Sequence, residues 1–207
     1  MSLPNGSLLI GGSTVALLLD VDGVLVLPPE MFGTRLMRLH PQEMQEFFYG
    51  SFLKASTGQA DLRDLLVPLM ARLKLPGTPE TLMAEWFAAE NHPNLPLIGE
   101  ARKLRAAGWP VYLATNQERR RLHYLLHDME LGELTDGEFA SCTVGARKPD
   151  AAYFERVQER LGLSPDQIVF WDDAPGNVAA ARAAGWTAHL YEGLEGFTRE
   201  MALLALA

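Results

Sequence analysis

Cysteine, cationic charge and long apolar runs are all scarce in this chain, and each scarcity narrows what it does. A lone cysteine, Cys142, cannot form an internal disulfide, which fits a reducing cytoplasm. Lys and Arg number 18 against 26 Asp and Glu, a formal net charge of −8. That deficit excludes a general binder of nucleic acid or of anionic membrane, which needs a basic face. An anionic substrate stays open, provided a metal or a few placed cations help. No stretch approaches the roughly 18 uninterrupted apolar residues of a membrane span. Met1–Gly12 lacks the basic start of a secretory leader. The expected setting is cytoplasmic, as a monomer or homodimer.

What is present suffices for a full core. Of 207 residues, 48% are hydrophobic, enough for one generous domain or a core domain with a smaller insert. Residues 15–20 (VALLLD), 111–115 (VYLAT), 168–172 (IVFWD) and 187–191 (TAHLY) are short, apolar and bounded by turn residues, as buried strands are. Helical patterns separate the later ones. Leu97, Ala101 and Leu104 share a face that Gly108 ends, and a second helix runs through Glu118–Met129. A third opens at Asp150 as N-cap and ends at Gly162, and a fourth runs from Pro175 to Gly185. Strand–helix alternation at this spacing predicts an α/β fold, a Rossmann-like, doubly wound parallel sheet.

Residues 28–96 break that rhythm. Their apolar positions, among them Phe47, Phe48, Leu62, Leu66, Leu69 and Trp86, recur at helical spacing, and eight of the 13 prolines cut the region into short helices. The expectation is a core of residues 1–27 and 97–207 carrying a small α-helical insert over 28–96.

Carboxylates gather at the ends of the strands. LLLDVDGVLV (17–26) closes an apolar run with Asp20 and Asp22, where open α/β sheets bind ligands. If the strand continues through both, their side chains point the same way. Two such charges 4 Å apart repel by roughly 4 kcal/mol at an effective dielectric of 20, which a cation or one proton relieves. Thr115 and Asn116 end the second strand, where a hydroxyl and free N–H groups can hold phosphate oxygens. Lys148, in GARKPD, offers a point charge to offset carboxylates and grip a phosphate. WDDAPGN sets Asp172 and Asp173 at another strand end, with Asn177 near the start of the next helix. Four carboxylates with one lysine make a hard-cation site suited to Mg²⁺.

The ordered set DVDGV, LATN, RKPD and VFWDDAPGNVAAARAAG resembles the four signature motifs of the haloacid dehalogenase superfamily. The spacing leaves room for the helical cap of its subfamily I, and the resemblance covers nearly the whole chain. It implies a phosphatase in which Asp20 is the nucleophile that takes the phosphoryl group. Asp22 is then the general acid/base, whose backbone carbonyl also ligates the metal. Thr115 and the backbone of Asn116 grip the phosphate, and Lys148 neutralises Asp20 and the transferring group. Asp20, Asp22 and Asp172 bind Mg²⁺, with Asp173 and Asn177 in support. The doubled aspartate is similar to the branch that includes sugar-1-phosphate phosphatases, so the implied substrate is a small phosphorylated metabolite such as a sugar phosphate.

Three rivals share this scaffold. A 2-haloacid dehalogenase lacks an acid at the Asp22 position, which counts against it. A phosphomutase shares the core residues, and a non-catalytic binding protein has no need to keep them. His123 and His127 have metal-ligand spacing, but Arg119, Arg120 and Arg121 beside them suggest a solvated helix face. Cys142 reads as core. Arg35, Arg38, His40 and Lys54 are the polar candidates for substrate selection in the insert. The terminal MALLALA packs against the sheet or a second subunit.

Overall fold

A computed structural model describes residues 9–10 and 13–204. Seven strands occur among them: β1 (Leu9–Ile10), β2 (Ser13–Thr14), β3 (Ala16–Leu19), β4 (Val111–Thr115), β5 (Gly137–Ala140), β6 (Ile168–Asp172) and β7 (Thr187–Leu190). The first two form a small antiparallel ribbon. The other five make one parallel sheet in the order β5-β4-β3-β6-β7.

The expected doubly wound sheet is what forms. From β3 the chain builds outward through β4 to β5, then returns to the other side of β3 for β6 and β7. The direction of winding therefore switches between β3 and β6, whose carboxyl ends open the crevice in which such sheets bind ligands. β5 is absent from the sequence reading because GEFA is short, half polar and lacks an apolar run; pairing of Tyr112 with Gly137 through Thr115 with Ala140 recruits it to the edge.

Alternation along β3 divides the core. Leu17 and Leu19 join Val111, Leu113, Val169 and Trp171 on one face, while Ala16 and Leu18 join Ala114, Ile168 and Phe170 on the other. The first face is covered by α6 (Leu95–Ala106), the short α8 (Leu131–Leu134) and α12 (Leu194–Leu204), the second by the short α9 (Ser141–Val144), α10 (Ala151–Leu161) and α11 (Pro175–Ala183). Phe197 and Met201 of α12 pack beside Trp171, so the described part of the C-terminal segment covers this chain's own sheet while Leu203 faces outward. Residues 205–207, like most of Met1–Gly12, lie outside the described residues. Among those described, no helix is long and apolar enough to cross a membrane.

Between β3 and α6 lie α1 (Phe32–Leu39), α2 (Pro41–Glu46), a π-helical turn at Phe47–Ser51, α3 (Phe52–Ser56), α4 (Leu62–Leu73) and α5 (Pro79–Ala89). They share an apolar cluster of their own, with Phe32, Met44, Phe47, Leu62, Leu66 and Phe87 buried in it. The outgoing and returning chain segments run side by side. Leu27 N–H donates to the His92 carbonyl (2.8 Å), and the Asn94 carboxamide donates to the Val24 carbonyl (2.8 Å).

Candidate active site

β3 ends at Leu19, so Asp20 and Asp22 sit in the turn beyond it and not on the strand. The expectation that they point together fails there, because a turn breaks the two-residue alternation. Asp20 faces across the sheet end toward β6, while Asp22 faces the α7 (Arg119–His127) side.

Lys148 is the centre of the first group. It is 1% exposed, and its ammonium donates to Asp172 Oδ2 (2.5 Å), to the Ala114 carbonyl (2.7 Å) and toward Asp20 Oδ1 (3.1 Å). A buried lysine persists only when its charge and donors are matched, and here two carboxylates and a carbonyl do so. Its backbone is clasped by the Asn116 carboxamide, which accepts from the Lys148 N–H and donates to the Lys148 carbonyl, each at 2.9 Å. The Asn116 side chain thus holds the lysine loop, leaving only its backbone for a ligand.

Asp172 ends β6 fully buried. Both its oxygens accept from Asn177 (3.0 Å each), and Oδ1 also accepts from the Ala174 N–H (2.8 Å). Asn177 is therefore a direct partner of Asp172. Asp173 brings its carboxylate over Gly23, where an added Cβ would lie 2.2 Å from Asp173 Oδ2; Gly23 also has φ +85°, so glycine is required twice over.

Oxygens of Asp20, Asp172 and Asp173 lie within 4.8 Å of one another. Asp173, expected only as a support, is in this group, and the Asp22 carboxylate is not. Burial foremost, and then the Asp172 charge, push the Asp20 carboxyl up to about 7 against the pull of Lys148. Burial and Asp172 likewise raise Asp173. A crowd of hard oxygen donors resisting full ionisation suits a hard divalent cation, so these residues fit Mg²⁺. Thr115 closes β4 beside them, buried.

Asp22 has a different surrounding, which sequence reasoning missed. Gln117 donates to its Oδ2 (2.5 Å), and Arg121 Nη2 lies 3.8 Å from its Oδ1. Asp22 Oδ1 has no hydrogen-bond partner among the described residues. Burial raises the Asp22 carboxyl above its usual range, with Arg121 and Gln117 opposing. Arg121 was expected on a solvated face, yet it is buried and also neighbours Glu90 Oε2 at 3.6 Å. Glu90 in turn accepts from the Phe32 N–H (2.8 Å), the start of α1. Glu118 caps α7 through the N–H groups of Arg120 and Arg121. Helical phase held a clue to this burial: Glu118, Arg121, Leu122 and Leu125 fall on one stripe.

Of the other candidates, His123 and His127 are exposed on α7. Cys142 is buried, which pushes its thiol up to about 11 and rules out a ready thiolate. Arg35 pairs with Glu85 and Arg38 with Glu30, each at 2.6 Å. Neither they nor His40 or Lys54 line the cavity of about 360 Å³ that opens between the insert and Asp22.

Comparison with known proteins bears on the family and the fold. The family model for haloacid dehalogenase-like hydrolases matches residues 14–185. The sesquiterpene phosphatase astK of Aspergillus oryzae is 30% identical over 66% of this chain and 70% of its own length. Phosphatase MT3486 of Mycobacterium tuberculosis is 33% identical over 50% of this chain, which spans about half (48%) of that relative. A haloacid dehalogenase family enzyme of Bacteroides thetaiotaomicron superposes with a TM-score of 0.75 at 18% identity, covering 90% of this chain and 98% of its own. The structure of that enzyme is also known as a magnesium complex. The chain belongs to the haloacid dehalogenase-like hydrolase family.

Proposed function

We propose that this family member, a phosphoric monoester hydrolase, is a Mg²⁺-dependent phosphatase of a small phosphorylated metabolite that works through an aspartyl-phosphate on Asp20. The observation that carries the reading is the buried Lys148 ammonium shared between Asp20 and Asp172, with Asp173 alongside, at the switch point of the sheet. Such a site gathers fixed charge where a phosphoryl group needs a nucleophile and compensation.

In the proposed first step an Asp20 oxygen bonds to phosphorus while the bond to the ester oxygen breaks. Asp22 gives its proton to the departing alkoxide, which leaves as the alcohol. In the second step Asp22 takes a proton from water, and the hydroxide displaces Asp20 to release inorganic phosphate. The raised carboxyl of Asp22 and its unpartnered Oδ1 support an acid role. Lys148 holds Asp20 and faces the transferring group, while Thr115 and the Asn116 backbone receive its oxygens. Asp20, Asp172, Asp173 and the Asp22 carbonyl would hold Mg²⁺, whose charge offsets that of the phosphoryl oxygens. The insert acts as the cap over residues 28–96, closing on the core at residues 1–27 and 97–207.

Phosphate release from a panel of esters, with Mg²⁺ or with EDTA, tests the reading against the phosphomutase and dehalogenase alternatives. Acid-quenched enzyme carrying one labile phosphoryl group on Asp20 is the expected intermediate. Turnover that survives Asp20→Asn removes Asp20 from the nucleophile role.

A further inference from the structure

The cavity between insert and core is chemically two-sided. Its floor carries Asp22, Gln117, Glu118 and Arg121, all engaged with one another or with the end of α7. Its walls carry Met31, Met37, Phe48, Phe52, Trp86 and Phe87. These aromatic rings form a connected set: Phe48 and Phe52 are 5.4 Å apart, Phe52 and Trp86 6.1 Å, and Trp86 and Phe87 6.2 Å. The π-helical turn at Phe47–Ser51 widens the backbone where Phe48 turns inward. Gly33 opposite leaves space for that ring, since a Cβ there would stand 2.7 Å from Phe48 Cζ.

A sugar or other polyol asks for several free donors and acceptors around it, because each hydroxyl taken from water needs a partner. Against seven apolar side chains, Leu62 included, the walls offer the hydroxyls of Thr34 and Tyr49, the Trp86 indole N–H and the charged ends of Glu90 and Arg147; Glu90 is already taken up by the Phe32 N–H and Arg121, and Tyr49 is 73% exposed. The expected cap cations do not reach in, as Arg35 and Arg38 are tied to Glu85 and Glu30. By contrast, about 360 Å³ of largely apolar space, opening on Asp22 and the Asn116 turn, lies in the size range of small-molecule pockets.

We infer that the substrate is a phosphate monoester of a hydrophobic alcohol, its apolar carbon chain or ring held by the Phe48, Phe52 and Trp86 wall. This rests on the phosphatase reading for the reacting end and departs from the sugar phosphate of the sequence reading. The ester and water give the apolar alcohol and inorganic phosphate. Arg147, on the same cavity wall and without an ion pair among the described residues, supplies a cation near the anionic end.

The test uses the full chain with Mg²⁺ and two probe sets. Phosphate release is measured for methyl, butyl and octyl phosphate and for glycerol 3-phosphate and glucose 6-phosphate. Binding is measured by calorimetry for methyl- and octylphosphonate, which do not hydrolyse. Each buried methylene is expected to raise kcat/KM about fourfold, so octyl exceeds butyl phosphate on the order of a hundredfold, and both polyol phosphates fall below butyl. Phe52→Gln is expected to cut the octyl-to-butyl ratio at least tenfold. Hydrolysis with a flat series, or with the polyol phosphates preferred, overturns the inference and leaves the phosphatase reading. Tight octylphosphonate binding without phosphate release from any ester overturns the phosphatase reading and leaves the pocket. Equal affinity for the two phosphonates overturns the pocket whatever the turnover.

Discussion

Metal-free protein should lose stability as pH rises through neutrality, and Asp20 should account for a measurable part of the loss. Its carboxyl, near 3.8 in an ordinary setting, is pushed up to about 7 by burial and by Asp172. Between those two values the folded chain keeps a proton that the unfolded chain has released. Folding is therefore favoured most below the unfolded value, and the advantage fades as pH climbs through the folded one. From pH 5 to pH 8, about two units of that window are crossed, worth about 3 kcal/mol at about 1.4 kcal/mol per unit. For a chain of this length that is a fall in Tm of about 6–12 °C. Asp22, Glu90, Glu118 and Asp173 are raised too, chiefly by burial, and tilt the curve the same way. Asp20→Asn isolates the term, since an amide of the same size does not titrate. Urea unfolding of both proteins in EDTA at pH 5, 6, 7 and 8 should give a wild-type slope steeper than that of the variant. With saturating Mg²⁺ the excess slope should vanish or reverse, because the ion favours the ionised carboxylate in the folded state. Parallel curves for the two proteins in EDTA would refute the reasoning.

Four further outcomes are expected. Asp20→Asn should remain folded and lose all phosphate release, because an amide cannot attack phosphorus; activity above about one per cent of wild type speaks against the role. Asp22→Asn should slow alkyl esters by about 10²–10⁴-fold while p-nitrophenyl phosphate still gives a burst of p-nitrophenol, and equal losses on both esters without a burst would assign Asp22 a purely structural part. Mg²⁺ at about 100 times its Kd should add about 2.7 kcal/mol of stability, so an unchanged Tm between EDTA and millimolar Mg²⁺ would count against the carboxylate site. Arg121→Met removes the cation between Glu90 and Asp22 and should cost about 3 kcal/mol; a loss that disappears in the Glu90→Gln background identifies that pair as the cause, and an undiminished loss points to packing on Phe87 and Tyr124.

Much of the core half of the site was legible because its residues sit where a strand stops. Backbone continuity places the next residues of an apolar run at the end of its strand, so VALLLDVD and IVFWDD announced their aspartates beside each other once the sheet order set β3 next to β6. Lys148 carried no such local sign. A lysine in a polar loop looks solvated until the Asn116 clasp and two carboxylates bury it, and those partners lie 24 to 128 residues away in sequence. Arg121 misled for the same reason: three consecutive arginines read as surface, while its partners Asp22 and Glu90 arrive from another element and from the insert. β5 needed the edge of β4 to exist at all.

The insert was legible as helices and illegible as a surface. Period alone separates a helix from a strand, but it does not tell which apolar residues close the shared core and which line a cavity. Phe47 and Phe48 are neighbours in sequence, yet the first is buried in the insert's core and the second turns toward the Asp22 cavity. Successive side chains of any helix point about 100° apart, which separates this pair, and the π-helical turn at Phe47–Ser51 then shifts the phase of the side chains that follow it. A sequence pattern drawn at 3.6 residues per turn carries no mark of the change. Selectivity therefore has to be read from the walls, where seven large apolar side chains, from Met31 to Phe87, surround a few polar groups. The motifs at the strand ends bear on the phosphoryl group alone.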